Sequence, residues 1–297
     1  MIKNFEQLVE LAKEKYSKRI AVVAADDFEI LEVISKAEEL GLADFILIGD
    51  EIKMKEIIEE NELNIKSEMT DEKDHKKAAD LAVDLVVQGK AGALMKGMLH
   101  SSVFLKAILN KEKGLNTGRH ITQISVLEKE NKNGLLFITD CAITVNPDLP
   151  GKKEVLENAV DLAHKLGNEI PKVAVLASLE VVNPDMQDTI DAAILSKMAE
   201  RGQIKGCMVD GPFAFDNAVS AEAARRKGIN SPVAGNADII VVPNLTVGNT
   251  LTKSIIYIAK KTVVAATVGA AVPIVFTSRT ESAEGKLLSI ALAAYTS

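Results

Sequence analysis

Residues 19–49 read RIAVVAADDFEILEVISKAEELGLADFILIG. The first seven, RIAVVAA, are a short Val-rich apolar run of the kind that fills a strand covered on both faces. Asp26 and Asp27 follow as helix N-cap signals, Ile30, Val33, Ile34, Ala37 and Leu40 recur at helical spacing, and Gly41 closes the helix. FILIG, 45–49, is a second apolar run. Strand, helix and strand within about thirty residues make a βαβ unit, which requires a parallel sheet and decides for an α/β fold.

The alternation extends outward from this stretch. The sequence predicts a helix over 74–88 closed by Gly89, a strand over 93–95 and a helix over 101–110. The rhythm then breaks. Segments 121–128 and 135–139 are β-type and are joined through Asn133-Gly134, a tight-turn signal, so an antiparallel excursion is expected there. After the connector Asn146-Pro147-Asp148-Leu149-Pro150-Gly151 the alternation resumes. Helices are predicted over 152–166, 187–201, 221–227, 249–260 and 281–295, and strands over 172–177, 207–209, 238–242 and 273–277. The apolar stretch 262–275 reads as core or interface. The expected fold is α/β with two lobes of mainly parallel sheet and flanking helices, and ligands in such folds sit beyond the C-terminal ends of strands.

Composition removes whole classes. The chain has 297 residues, about twice the ~150-residue domain prior. Its 35 Lys+Arg against 42 Asp+Glu give a net charge of −7, which disfavours sequence-independent nucleic-acid binding. No apolar run approaches the ~20 residues of a membrane helix, so no membrane partner is expected. Met1-Ile2-Lys3-Asn4-Phe5-Glu6 mixes charges and does not read as a signal peptide. Cys141 and Cys207 form no CxxC pair, so a reducing cytoplasm is the expected compartment. The four histidines are scattered, and no metal site is expected. G-x-G-x-x-G, G-x-x-x-x-G-K-[ST] and G-x-S-x-G are absent; Gly92 and Gly97 have Met98 where the lysine should stand. Asp185, Asp188 and Asp191 lie three apart around a helix start, a spacing read as capping and dipole compensation before cation binding.

The sharpest chemical signal follows the strand at 273–277. Thr277-Ser278-Arg279-Thr280 places hydroxyls, a guanidinium and free backbone N–H groups between a strand and a helix start, which suits a phosphate or other oxyanion. Ser278-x-x-Glu281 is also a capping box, and Arg279 also reads as a surface ion-pair partner. Arg119, in Gly118-Arg119-His120, is a candidate second cation, although alone it is more often a solvated arginine. Lys96 ends a strand and could reach a phosphate. Cys141 follows Asp140 at a strand end, where a small buried hydrophobe is the commoner reading than a nucleophile. His100 and His120 flank candidate loops, whereas His75 reads as surface and His164 as an ordinary helix residue.

Five ordered blocks carry a family resemblance. They are Leu136-Phe137-Ile138-Thr139-Asp140-Cys141-Ala142, Gly206-Cys207-Met208-Val209-Asp210-Gly211-Pro212 with Phe213-Ala214-Phe215-Asp216, Ser231-Pro232-Val233-Ala234-Gly235-Asn236-Ala237-Asp238, Pro243-Asn244-Leu245-Thr246-Val247-Gly248-Asn249, and Thr277-Ser278-Arg279. Over nearly its whole length the chain resembles the phosphate acetyl/butyryl transferase family. Leu195-Ser196-Lys197-Met198 and the run from Arg201 to Gly206 are more similar to the butyryl branch, the phosphate butyryltransferases.

The resemblance implies reversible transfer of a short acyl group, butyryl first, between CoA and inorganic phosphate: butanoyl-CoA + phosphate = butanoyl phosphate + CoA. It implies no tightly bound cofactor, with acyl-CoA and phosphate as substrates. It implies two lobes arranged as in isocitrate and isopropylmalate dehydrogenases, with the last helix returning to the first lobe and a cleft between them. The expected boundaries are 1–140 plus 277–297 for one lobe and 141–276 for the other. It further implies a homo-oligomer (dimer or higher), coupling to an acyl kinase, and a place in short-chain fatty acid metabolism and butyrate fermentation.

By the same resemblance Arg119 and Arg279 match arginines at the substrate phosphate and CoA, Ser278 a site serine, and Cys141 a cysteine near the site. Thr277, Lys96 and Asn249 join the expected phosphate- and CoA-binding set. The acetyl branch places an aspartate as base where this chain has Gly285, so Glu281 and Glu284 are the expected substitutes, Glu281 preferred. Direct transfer in a ternary complex needs no covalent Cys141. The alternatives are acetyl preference, a non-catalytic CoA or acyl-phosphate sensor that lost its base, and a metal-dependent NAD(P) dehydrogenase of the same fold, against which the missing acidic metal signature argues.

Overall fold

The Val- and Ile-rich runs become strands because their branched side chains are buried on both faces of a sheet. The computed structural model describes residues 1–15, 19–113, 115–130, 133–277 and 281–297. The chain divides into two units, the first holding Phe5–Arg119 and Val264–Ser297, the second Met1–Asn4 and His120–Val263.

The first unit begins with α1 (Phe5–Lys15), β1 (Arg19–Val23), α2 (Phe28–Glu39), β2 (Phe45–Gly49), α3 (Glu51–Glu60), β3 (Glu68–Asp71), α4 (His75–Val87), β4 (Ala91–Lys96) and α5 (Ser101–Ile108). The second contains β5 (Thr122–Glu128), β6 (Leu135–Thr139), α6 (Leu149–Lys165), β7 (Lys172–Leu176), α7 (Gln187–Glu200), β8 (Met208–Phe213), α8 (Phe215–Val219), α9 (Ala221–Arg226), β9 (Ile239–Val241) and α10 (Leu245–Tyr257). The chain then returns to the first unit with β10 (Val264–Val268), β11 (Ile274–Val275) and α11 (Ala283–Thr296).

In the first unit the strands lie in the order β3-β2-β1-β4-β11-β10, all parallel except β10, which pairs antiparallel with β11. The N-cap signal after β1 is real: Asp27 accepts from the Ile30 N–H at 3.3 Å. Asp26 instead pairs with Lys53. Ile20, Val22, Ile34, Phe45, Leu47 and Met95 form the core with Ile290, Ala291 and Ala294 of α11, which therefore packs into this unit. In the second unit the order is β5-β6-β9-β7-β8, parallel except for the β5–β6 hairpin. Ile138, Cys141, Ala174, Phe213, Ile240 and Val242 belong to its core.

The units change at 119/120 and 263/264, whereas the sequence reading draws the lobes at 140/141 and 276/277. The hairpin explains the first difference, because β5 pairs along β6 from Ile124–Thr139 to Glu128–Leu135 and so travels with it. The second follows from 264–268, read only as core or interface, which form β10 against β11. The polar stretch 51–71 holds α3, with only Met54 of its residues buried, and the edge strand β3; neither carries an apolar run. The last helix starts at Ala283 rather than 281 because Ser282 is its N-cap, accepting from the Gly285 N–H at 3.1 Å. Glu281 thus lies ahead of the helix, and Ser278 of the expected box Ser278-x-x-Glu281 lies outside the described residues.

Candidate active site

Parallel strands β1, β4 and β11 end together, and the chain past each end borders one cavity of about 180 Å³. Its walls are the N-cap Asp27 with Glu29 and Ile30 of α2, Lys96 at the end of β4 with Gly97 and Met98 after it, Thr277 after β11, and Lys286 of α11. This is the position where α/β sheets bind ligands.

Glycine is required at 97. The Gly97 and Met98 N–H groups donate to the Val23 and Ala24 carbonyls at 2.8 and 2.9 Å. A Cβ at 97 would stand 2.1 Å from the Ala24 oxygen. Ala24 itself is held at a φ of 55°, an unfavourable region for a residue with a Cβ. The close crossing fixes Lys96, whose Nζ donates to the Gly97 carbonyl at 3.1 Å and lies 5.8 Å from the Phe276 ring centroid. Lys286 is the second buried ammonium on the wall, donating to Glu29 at 2.7 Å. That ion pair holds the Glu29 carboxyl below the ordinary carboxylate range.

Thr277 lines the cavity, while Ser278, Arg279 and Thr280 lie outside the described residues. Glu281 is half-buried, and its Oε1 accepts from Ser289 Oγ at 3.4 Å. A Cβ on residue 285 would meet the Glu281 Cγ at 3.1 Å and Oε1 at 3.2 Å. The Glu281 carboxylate therefore occupies the space that a side chain at 285 would need. Glu284 is exposed in the first turn of α11. Arg119 is exposed at the end of the first unit's opening segment, with its backbone N–H donating to Thr117 Oγ1 at 3.3 Å.

Cys141 and Asn249 are brought together in the second unit: Asn249 Nδ2 donates to the Cys141 carbonyl at 3.2 Å. The Cys141 thiol is buried, donates to the Ile138 carbonyl at 3.1 Å, and burial pushes its pKa up. The Asp140 carboxylate adds to the rise, while the Ser125 and Thr252 hydroxyls oppose it. The group is a neutral thiol at neutral pH, unsuited to nucleophilic attack. Asp140 accepts backbone N–H bonds from Ala142, Ile143 and Thr144 at 2.8, 3.1 and 2.9 Å, pinning the turn after β6. Gly248 allows α10 to approach this turn, since a Cβ there would lie 2.2 Å from the Asp140 carbonyl oxygen. His120 pairs with Glu154 at 2.7 Å, and His164 meets the Gly206 carbonyl at 2.7 Å. Of the three spaced aspartates, Asp191 is buried against Lys152 at 2.6 Å and accepts from Gln187 at 2.8 Å, so its work is in the core and not at the cap. Among the described residues no group of three or more His, Cys, Asp or Glu is placed to hold a metal ion.

Lys286 and Glu29 escaped the sequence reading. The usable signal was spacing: Lys286 lies four residues before buried Ile290, on the face that α11 turns to the core.

The family model for phosphate acetyl/butaryl transferase matches residues 69–294. The chain belongs to that family. A phosphate butyryltransferase of Clostridium beijerinckii is 45% identical over 295 residues, 99% of this chain and 98% of its own length. A phosphate acetyltransferase of Thermotoga maritima is 43% identical over 289 residues, 97% and 98% of the two chains. Among solved structures, a branched-chain phosphotransacylase from Enterococcus faecalis superposes with a TM-score of 0.83 at 30% identity, covering 94% of this chain and 99% of that one. The transferase family match spans both units, from β3 to α11.

Proposed function

We propose that this protein moves a short acyl group, butyryl in the first place, reversibly between CoA and inorganic phosphate. The observation that carries the reading is a cavity at parallel strand ends, walled by two buried ammonium groups and by Thr277, in a chain of this family. Butyryl is preferred because phosphate butyryltransferases align over nearly the full length. Acetyl is the competing preference, supported by the 43% identity to a phosphate acetyltransferase.

The chemistry asks for little beyond anion handling. A phosphate oxygen attacks the thioester carbonyl; the new C–O bond forms, the C–S bond breaks, and the proton given up by hydrogen phosphate ends on the CoA sulfur. Cations and fixed donors reduce the repulsion between two anions and stabilise the tetrahedral oxyanion. Arg279, Arg119, Lys96, Ser278 and Thr277 are assigned to that work, and Asn249 and Cys141 to the supporting wall. In the reverse direction the CoA thiol, with an ordinary pKa near 8.5, must lose its proton to attack. Glu281 is assigned as the acceptor because Gly285 leaves it room; Glu284 is the second choice. The dehydrogenase-like arrangement of lobes, a homo-oligomeric state, a cytoplasmic setting, coupling to an acyl kinase and service in butyrate fermentation complete the proposal.

The test is release of CoA thiol from acetyl-, butyryl- and isobutyryl-CoA with and without phosphate. Phosphate-dependent release that peaks at four carbons, and falls by about 10²–10³ in Arg279→Ala, is expected. CoA binding with no release from any acyl-CoA would instead establish a non-catalytic sensor.

A further inference from the structure

We infer that Lys286, together with Lys96, receives phosphoryl oxygens in the cavity at the ends of β1, β4 and β11, and that Glu29 is the internal anion which holds Lys286 ready and yields it to the ligand. The identity of the ligand as a substrate rests on the reaction proposed above; the anion site itself rests on geometry.

A lysine is almost never fully buried without a reason, because its ammonium must be paired. Here two are, Lys96 at 8% and Lys286 at 4% exposure, both on the wall of one cavity. Lys286 sits on a helix whose neighbouring positions Leu288, Ile290 and Ala291 are buried apolar residues, so a methionine would fill its place at lower desolvation cost. The pair with Glu29 is lopsided: the Lys286 side chain is 5% exposed and that of Glu29 63%. The cation is thus fixed inside while its carboxylate reaches in from water. A pair of this kind adds little stability, because the exposed partner is already well solvated. It does hold the ammonium in place on the cavity wall. An ammonium has three donors, and the bond to Glu29 uses one.

The cavity suits the exchange. Its volume of about 180 Å³ corresponds to roughly six water volumes of ~30 Å³, enough for a tetrahedral oxyanion. The other acid on the wall, Asp27, is engaged at the α2 N-cap by the Ile30 N–H. Lys96 is held by the Gly97 crossing, so the second cation is preorganised. An entering phosphoryl group would take the bond now made by Glu29, and Glu29 would recover its hydrogen bonds from solvent.

The decisive comparison is Lys286→Met against Glu29→Gln in the full chain. Both break the ion pair. If the pair were only structural, both would move in the same direction. A phosphoryl site requires opposite signs. Lys286→Met should weaken binding of inorganic phosphate about tenfold or more, the loss expected for a charge-assisted hydrogen bond. Glu29→Gln should tighten it by about threefold through removal of a competing anion. Lys286→Arg should retain most of the affinity. Binding is read by calorimetry with inorganic phosphate alone and with CoA alone, alongside the Michaelis constants for phosphate and butyryl-CoA. Opposite shifts confined to phosphate place inorganic or acyl phosphate at Lys286. Opposite shifts confined to CoA place CoA's own phosphates there. Shifts of the same sign, or none in either ligand while circular dichroism confirms folding, overturn the inference. If phosphate binds in a Lys286-dependent way but no thiol is released, the reaction fails and the site stands. If release needs phosphate and neither variant alters binding, the site fails and the reaction stands.

Discussion

Replacing Gly97 by alanine tests whether the strand crossing builds the site. An ideal Cβ at 97 would lie 2.1 Å from the Ala24 oxygen, 2.6 Å from the Val23 oxygen and 2.8 Å from the Ala24 carbonyl carbon. All three are backbone atoms, so no side chain can rotate away. Restoring an ordinary C···O approach of about 3.3 Å requires the ends of β1 and β4 to part by about 1 Å. That movement stretches the hydrogen bonds from Gly97 to Val23 and from Met98 to Ala24, now 2.8 and 2.9 Å. Two backbone bonds at about 1 kcal/mol each, with about 1–3 kcal/mol of overpacking, give a loss of about 3–5 kcal/mol. Gly89→Ala supplies the control. Gly89 has a φ of +72° and nothing within 4 Å of the point where a methyl would stand, so only the backbone penalty of about 1 kcal/mol applies. The assay is the urea midpoint of each variant at constant slope, with phosphate affinity read on the folded protein. The expected order is a clearly larger midpoint shift for Gly97→Ala, accompanied by weakened phosphate binding because Lys96 is carried along. Equal shifts for the two variants, with phosphate affinity intact, would refute the reasoning.

Four other outcomes follow from particular contacts. Glu281→Gln should lower turnover with CoA thiol and acyl phosphate by about 10²–10⁴, the span of a general base, and Glu284→Gln should leave it near wild type; the reverse ranking in steady-state kinetics would assign the base to Glu284. In the Glu281→Ala background, Gly285→Asp should recover part of the rate, since a side chain at 285 enters the space that Glu281 leaves. Burial raises the pKa of Cys141 and, with the Glu157 charge, pushes that of Cys207 to about 11, so both thiols stay protonated through neutral pH and gain thiolate only on the alkaline side. Iodoacetamide should therefore modify the folded protein slowly at pH 7–8 and Cys141→Ala should keep turnover; fast inactivation at pH 7 traced to Cys141 by mass spectrometry would contradict this. Removing one partner of the buried Lys152–Asp191 pair, as in Lys152→Met, should cost about 3–5 kcal/mol in a urea titration, whereas a loss under 1 kcal/mol would show the pair to be dispensable.

Periodicity made the parallel sheets legible, because runs such as Ile20–Val23 and FILIG are buried throughout and cannot be mistaken for surface. It could not reveal α3 or β3, where one buried methionine and an edge position leave almost no apolar signature. The blocks that carried the family resemblance largely hold backbone in place. Asp140 ties down a turn, Gly248 lets α10 approach it, and Asp238 accepts from Lys129 and the Lys172 N–H at 2.6 and 2.9 Å. Gly211 leaves space beside the Val175 carbonyl, which a Cβ would approach to 2.7 Å. The residues around the cavity were half legible. Lys96 and Thr277 stand at strand ends, where topology directs the search. Glu29 and Lys286 meet across 257 positions, a contact that no local pattern encodes.

The path of the chain sets an order of assembly. The second unit takes its sheet from one continuous stretch between His120 and Val263, whereas the first draws on segments lying on either side of it. During synthesis the second unit can close its core while α11 has yet to be made, although Phe5 to Arg119 emerged earlier. The older half of the first unit must wait with Ile20, Val22 and Ile34 lacking the cover that Ile290, Ala291 and Ala294 will supply. The earlier segment of the first unit is thus completed only by the later one. Until then the parallel sheet of that unit lacks β10 and β11 and the cover of α11.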